Sequence, residues 1–212
     1  MKDKLYSVFF AFALTLVFTL VLASINALAS GTIEVNEKLD FQKSLLYVFG
    51  FVQKDDKLSS KEIQELYGEK IVELHGEVDV YRAQVEGESV YAFTVQSPGL
   101  WGTITGLIAV NTDGTRLVGI DFVQHSETPG LGGRIDEKAF QQQFRDERIS
   151  AGPSGRIAVV SGQNTSSSED SKVDAITGAT RTSEAIQKLI DKAMNEVFPK
   201  VLKVVKDRKS VV

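Results

Sequence analysis

The residues best suited to chemistry lie at Asp174-Ala175-Ile176-Thr177-Gly178-Ala179-Thr180, where a hydroxyl is flanked by almost no bulk. A phosphoester to a side chain needs a hydroxyl that is exposed and sterically open, and Gly178 and Ala179 leave the Thr180 oxygen reachable. Beyond it, Ile186, Leu189, Ile190, Ala193 and Val197 follow the i, i+3, i+4, i+7, i+11 spacing of one helix face. The spacing predicts a helix with Thr182 or Ser183 as its N-cap. A phosphate on Thr180 would then stand near a helix start, where free N–H groups and the macrodipole favour negative charge. The same residues also fit a plain capping turn whose threonines satisfy helix donors. Other segments must decide between the two.

Two loops are unusual. Ser97-Pro98-Gly99-Leu100-Trp101-Gly102 sets the single tryptophan between glycines at the start of a strand. Its ring either meets a ligand or covers the end of the core, as large aromatics commonly do. Glu127-Thr128-Pro129-Gly130-Leu131-Gly132-Gly133 holds three glycines and a proline. Such a loop lets backbone approach a planar ring closely, or else makes a tight strand-to-helix turn. His125 stands just before it, but His75 is the only other histidine and neither has clustered carboxylates, so the ligand count falls short of a metal site. We read His125 as a loop hydrogen-bonder.

The elements that must position these loops follow from periodicity. Ile33 to Phe51 reads as a helix, and Lys61 to Tyr67, preceded by Ser59 and Ser60, as a shorter one ending by Gly68 or Gly76. After Gly76 the sheet is expected to begin, with strands over Val78–Val85 and Val90–Val95 joined at Glu86-Gly87. A second hairpin, Thr103–Val110 and Leu117–Val123, turns at Thr112-Asp113-Gly114. Asp136 to Arg145 is expected to be helical with Ala139, Phe140 and Phe144 on one face, and Arg156 to Val160 to be a strand. Ser161 to Lys172 reads as a solvated loop, in which we give the Asn164-Thr165-Ser166 sequon no weight, and Lys203 to Lys209 as a frayed end. The fold class is mixed α/β of the α+β type, with a mainly antiparallel sheet and flanking helices.

No charged residue occurs from Leu5 through Thr32. A spanning helix needs about 20 apolar residues and a signal-peptide core roughly 7 to 15, so the length favours a retained anchor. Ala27-Leu28-Ala29 has the form of a cleavage site and keeps the alternative open. Lys2 and Lys4 before the run place the short end in the cytoplasm and the larger part of the chain outside.

The chain has 212 residues and no cysteine, which excludes disulfides and cysteine-ligated metal or iron–sulfur centres; redox work would need an organic cofactor. A net charge of -4 with no interleaved basic and aromatic pattern argues against nucleic-acid binding. The part beyond the apolar run is long enough for one domain with a sizeable core.

In this order, after a single anchor, the Trp101 loop, His125-Ser126-Glu127-Thr128-Pro129-Gly130-Leu131-Gly132 and Asp174 to Thr180 resemble the FMN-binding subunits of Rnf and Na+-NQR complexes, the G subunit of the former and the C subunit of the latter. The likeness covers nearly the whole chain. It implies a single-pass inner-membrane protein with FMN coupled through phosphate to Thr180, relaying electrons among the other membrane and peripheral subunits of an ion-translocating oxidoreductase. By position, Thr177, Gly178 and Ala179 would hold the phosphate end. Trp101, Leu100, Glu127, Thr128, Leu131 and Gly132 would line the flavin ring, and Asp174 would serve recognition by a flavin transferase. The implied division is an anchor over 1–30, membrane-proximal helices over 31–76, an FMN-binding domain over 77–200 and a tail over 201–212.

The short chain is closer to the Rnf subunit than to its Na+-NQR counterpart, which tends to be larger. No catalytic acid, nucleophile or metal is expected, and no complete reaction by this chain alone. A carboxylate at 127 beside the ring would lower the potential, so Glu127→Gln is expected to raise it. The alternatives are the C subunit of Na+-NQR, a free-standing extracytoplasmic flavoprotein module, and a non-enzymatic anchored binding module.

Overall fold

In the computed structural model of the chain, which describes residues 2–150, 157–162 and 170–209, the apolar run continues unbroken into the segment read as a second helix. Helix α1 spans Lys2–Val48, roughly 70 Å at the α-helical rise. The polar residues between the two halves do not interrupt it, because Ser24 and Ser30 turn their hydroxyls back onto Leu20 O (2.7 Å) and Ala27 O (3.1 Å). The helix is long and apolar enough to cross a membrane.

By contacts the chain divides into a unit ending at Asp40 and a unit beginning at Phe41. Within the second unit, α1 closes in a Schellman arrangement. Gly50 N–H bonds Tyr47 O at 2.9 Å and Phe51 N–H bonds Leu46 O at 3.0 Å, with Gly50 at φ +85°. Arg145 donates to Tyr47 O at 2.7 Å, which sets a cation on the free carbonyls of the helix end.

Helix α2 (Ser60–Lys70) opens with a capping box: Ser59 Oγ accepts from Glu62 N–H while the Glu62 carboxylate accepts from Ser59 N–H. Six strands follow, β1 (Ile71–Leu74), β2 (Val80–Val85), β3 (Glu88–Pro98), β4 (Thr103–Asn111), β5 (Arg116–Gln124) and β6 (Glu147–Arg148). They form one antiparallel sheet in chain order. The two expected hairpins are its middle four strands. The sheet starts before Gly76, however, since Ile71 and Leu74 face the core from a four-residue strand that follows α2 without a turn.

After β5 a 3-10 turn (Gly132–Asp136) and a short helix α3 (Lys138–Gln142) replace the single helix expected over 136–145. Phe140 and Phe144 are buried in edge contact at 5.3 Å, while Ala139, expected on the same face, is exposed. Strands β7 (Ala158–Val160) and β8 (Lys172–Asp174) pair in parallel. Arg156, the sequon and most of the Ser- and Thr-rich stretch lie outside the described residues.

Helix α4 (Thr180–Lys192) packs on β3 and runs through a π-helical turn (Ala193–Val197) into α5 (Phe198–Lys209). Ile186, Leu189, Ile190 and Ala193 are fully buried, as their spacing requires. The last segment is no frayed end. Val201, Val204 and Val205 keep an i, i+3, i+4 face buried in the core, while Lys203 and Lys206 point to solvent. Alternating charges hid that apolar face. The outcome is an α+β fold with a mainly antiparallel sheet and flanking helices, preceded by one apolar helix.

Candidate functional site

The turn before α4 is built from the end of the small parallel sheet. Asp174, the last residue of β8, donates its N–H to Gln143 Oε1 at 2.7 Å, and Ala175 N–H bonds Val160 O. Ile176 to Ala179 then form a β-turn closed by Ala179 N–H to Ile176 O at 3.0 Å. Gly178, third in that turn, has φ +81°, a left-handed conformation that favours glycine. Ile176 and Ala179 are buried, while Thr177, Gly178 and Thr180 are exposed.

Helix α4 starts earlier than its apolar spacing indicates. Its N-cap is Ala179, not Thr182 or Ser183, and Ala179 has no side chain with which to cap it. Thr180 is therefore the first helical residue, and the opening N–H groups stay without intrahelical acceptors. The two hydroxyls expected to cap are used inward instead. Buried Ser183 Oγ accepts from Ile176 N–H (3.1 Å) and donates to Ala179 O (3.0 Å), which locks the turn. Buried Thr182 donates to Glu127 Oε2 at 2.6 Å.

Glu127 joins three segments. Its Oε1 accepts the N–H groups of Leu100 (2.8 Å) and Trp101 (3.2 Å), while Oε2 takes the Thr182 hydroxyl. Only 5% of the residue is exposed. Burial opposes its charged form, but the bonds from Thr182, Trp101 and Leu100 outweigh burial and hold the carboxyl below the usual range. Two glycines make room for it. A Cβ on Gly99 would fall 2.5 Å from Glu127 Oε1, and one on Gly132 would fall 2.5 Å from Thr182 Oγ1 and 2.6 Å from Glu127 Oε2. Both glycines thus fit a protein carboxylate.

The loop after β5 is fixed from its own side. Leu131 and Gly133 donate N–H to Thr128 O at 3.1 and 2.9 Å. Glu127 N–H donates to His125 Nδ1 at 3.1 Å, so His125 Nε2 carries the proton it gives to Asp136 at 2.8 Å. His125 is a loop hydrogen-bonder. Among the described residues no group of three or more His, Asp or Glu side chains is placed to hold a metal.

These bonds bring Leu100, Trp101, Glu127, Leu131, Gly132 and Gly178 around the start of α4, with Thr180 at its edge. Asp174 stands apart at the end of β8, against Gln143, and the exposed Thr128 contributes its carbonyl to the loop. The roles of Thr182 and Ser183 as cross-loop partners escaped the sequence; the paired glycines 99 and 132 were the available signal. Among the described residues beyond α1, four large apolar side chains are exposed, and three of them, Leu100 (50%), Trp101 (68%) and Leu131 (48%), lie on the two loops that meet here. Exposed apolar side chains on two adjoining loops make this end of the domain the candidate binding surface, and the helix start beside it suits an anion.

A planar aromatic group carrying a phosphate fits both features, and residues 99–195 match the family described as FMN-binding domain. That match takes in just under half of the chain. The chain is 37% identical over 89 residues to the C subunit of the Na(+)-translocating NADH-quinone reductase of Neisseria meningitidis, covering 42% of this chain and 34% of that protein. It is 33% identical over 130 residues to the G subunit of the proton-translocating ferredoxin:NAD(+) oxidoreductase complex of Clostridium ljungdahlii, covering 61% of this chain and 65% of the relative. The chain thus spans about a third of the Neisseria protein's length and just under two thirds of the Clostridium one. Its fold is similar to that of the crystal structure of the Na(+)-translocating NADH-quinone reductase C subunit from Parabacteroides distasonis, with a TM-score of 0.64 at 26% identity over 79% of this chain and 94% of that one.

Proposed function

We propose that this chain is the covalent-FMN electron-carrier subunit of a membrane-bound, ion-translocating oxidoreductase of the Rnf type, anchored by α1 with its FMN-binding domain on the extracytoplasmic side. One observation carries the reading: an exposed apolar surface of Leu100, Trp101 and Leu131 lies beside an exposed hydroxyl, Thr180, that opens a 13-residue helix. FMN, when bound, supplies the redox chemistry.

This chain's residues attach and orient. Thr180 contributes the ester oxygen. The uncapped N–H groups of α4 and the turn at Thr177, Gly178 and Ala179 surround the phosphate end. Trp101, Leu100 and Leu131 offer apolar faces to the ring, with Thr128 and Gly132 in the same loop as Leu131. Asp174, two residues before the turn, is assigned to recognition by a flavin transferase.

Membrane and peripheral subunits of such a complex are the partners for electron transfer. The names of the Neisseria relative and the Parabacteroides structure favour a second reading, the C subunit of a Na+-translocating quinone reductase. Co-expression with a flavin transferase tests the shared claim, since flavin absorbance must then survive denaturation; co-purifying subunits distinguish the two complexes.

A further inference from the structure

The Glu127 carboxylate has two anchoring functions that a ring-lining role leaves unexplained. Oε1 holds the Trp101 loop by two backbone N–H groups, and Oε2 holds the first turn of α4 through Thr182. One carboxylate therefore bridges the tip of the Trp101 loop to the start of α4. Trp101 and Leu100 themselves stay exposed; Gly99 N–H to Gly102 O at 2.7 Å closes their turn at the end of the β3–β4 hairpin, and the Glu127 bonds tie that turn to α4. Gly99 and Gly132 leave space on both sides for the carboxylate, and a methyl group at either position would collide with it or with Thr182.

We propose that Glu127 is a positioning residue: a buried carboxylate that fixes the Trp101 platform against the attachment helix before any cofactor arrives. The inference rests on the reading of Trp101 and Thr180 as parts of one cofactor site. Its physical basis is preorganisation. Loops move on nanosecond to microsecond timescales unless tied, and a platform already held in place avoids the ordering cost of binding. Glu127 meets the ring through Trp101 and need not touch it. The expected change of potential in Glu127→Gln then gives way to a change in loop order.

Trp101 is the only tryptophan in the chain, so its emission reports on this loop alone. The test is time-resolved fluorescence anisotropy of the full chain in detergent, made without a flavin transferase so that Thr180 is unmodified. In Glu127→Ala the amplitude of the fast depolarising component should at least double relative to wild type. Thr182→Val, which replaces the hydroxyl with a methyl group and so removes the bond to Oε2, should give an intermediate rise, and Thr182→Ser should restore the wild-type value. Wild-type anisotropy in a folded Glu127→Ala and in Thr182→Val would overturn the proposal. Should Glu127→Ala fail to fold, Thr182→Val and Thr182→Ser decide it by the same criterion. With a transferase present, adduct formation should slow several-fold in Thr182→Val. A wild-type chain that never forms an adduct would defeat the FMN reading while leaving the anisotropy result to judge the positioning role.

Discussion

The Leu131 side chain lies 3.5 Å from where a Cβ on Gly178 would stand, so the glycine-rich loop after β5 meets the turn before α4 in ordinary van der Waals contact. The contact leaves room for a methyl group, but the backbone does not favour one, because Gly178 sits at φ +81°. Gly178→Ala should therefore cost about 1–2 kcal/mol through the left-handed conformation alone. Urea denaturation of the unmodified protein measures it. Equal stability would mean that the turn relaxes without loss.

Glu147 makes an opposite kind of demand from Glu127. It is buried, burial pushes its carboxyl up to about 7, and its Oε1 has no hydrogen-bond partner. The N–H groups of Ser171, Lys172 and Arg148 bond the carboxylate and only partly offset that burial. A raised carboxyl pKa means the folded state holds the proton longer than the unfolded state. Its contribution to stability is thus present below the ordinary value of 4.5 and is lost as pH rises toward 7. Glu147→Gln should remove up to about 3 kcal/mol of this pH dependence. Denaturation midpoints across that range, compared between wild type and variant, check the sign.

Asp121 ties the residues after α1 to the sheet. Its Oδ1 accepts Lys54 Nζ (3.0 Å), Gln141 Nε2 (2.9 Å) and Phe122 N–H (2.9 Å). Asp121→Ala removes an acceptor from the buried Gln141 amide and should cost about 2–3 kcal/mol. Lys54→Met should cost less, about 1–2 kcal/mol: it strips Asp121 of its cation and Gln141 Oε1 of a donor at 3.0 Å, but on the partly exposed side, where water can replace the ammonium. A larger loss from the lysine change would reverse this order.

Much of this architecture is written in local pattern. Period-two apolar residues with Glu86-Gly87 and Thr112-Asp113-Gly114 marked the two hairpins, and Ile186, Leu189, Ile190 and Ala193 marked the face of α4. What escaped depends on tertiary contacts. Strand β1 is four residues long and gains its identity from pairing with β2. Thr182 and Ser183 looked like caps because capping is the local use of such residues; their partners lie 55 and 7 residues away. The glycines at 99 and 132 were visible, but that they make room for a carboxylate was not, since Glu127 reaches them only in the fold.

Helix α5 owes its place to the same kind of contact. Val201 is fully buried although it stands among lysines in sequence. Val201→Asp should cost more than about 3 kcal/mol by burying an unpaired charge. Lys203→Asp, on the exposed side of the same helix, should change stability little. Calorimetric midpoints of the two variants separate a packed helix from a loose end.

Whether Thr180 carries the flavin is tested most directly by intact mass spectrometry of the full chain co-expressed with a flavin transferase. Wild type and Thr177→Ala should each gain one FMN-sized adduct, fluorescent on a denaturing gel, and Thr180→Ala should gain none. An adduct that persists in Thr180→Ala, or a wild-type chain left unmodified by a competent transferase, would contradict the assignment.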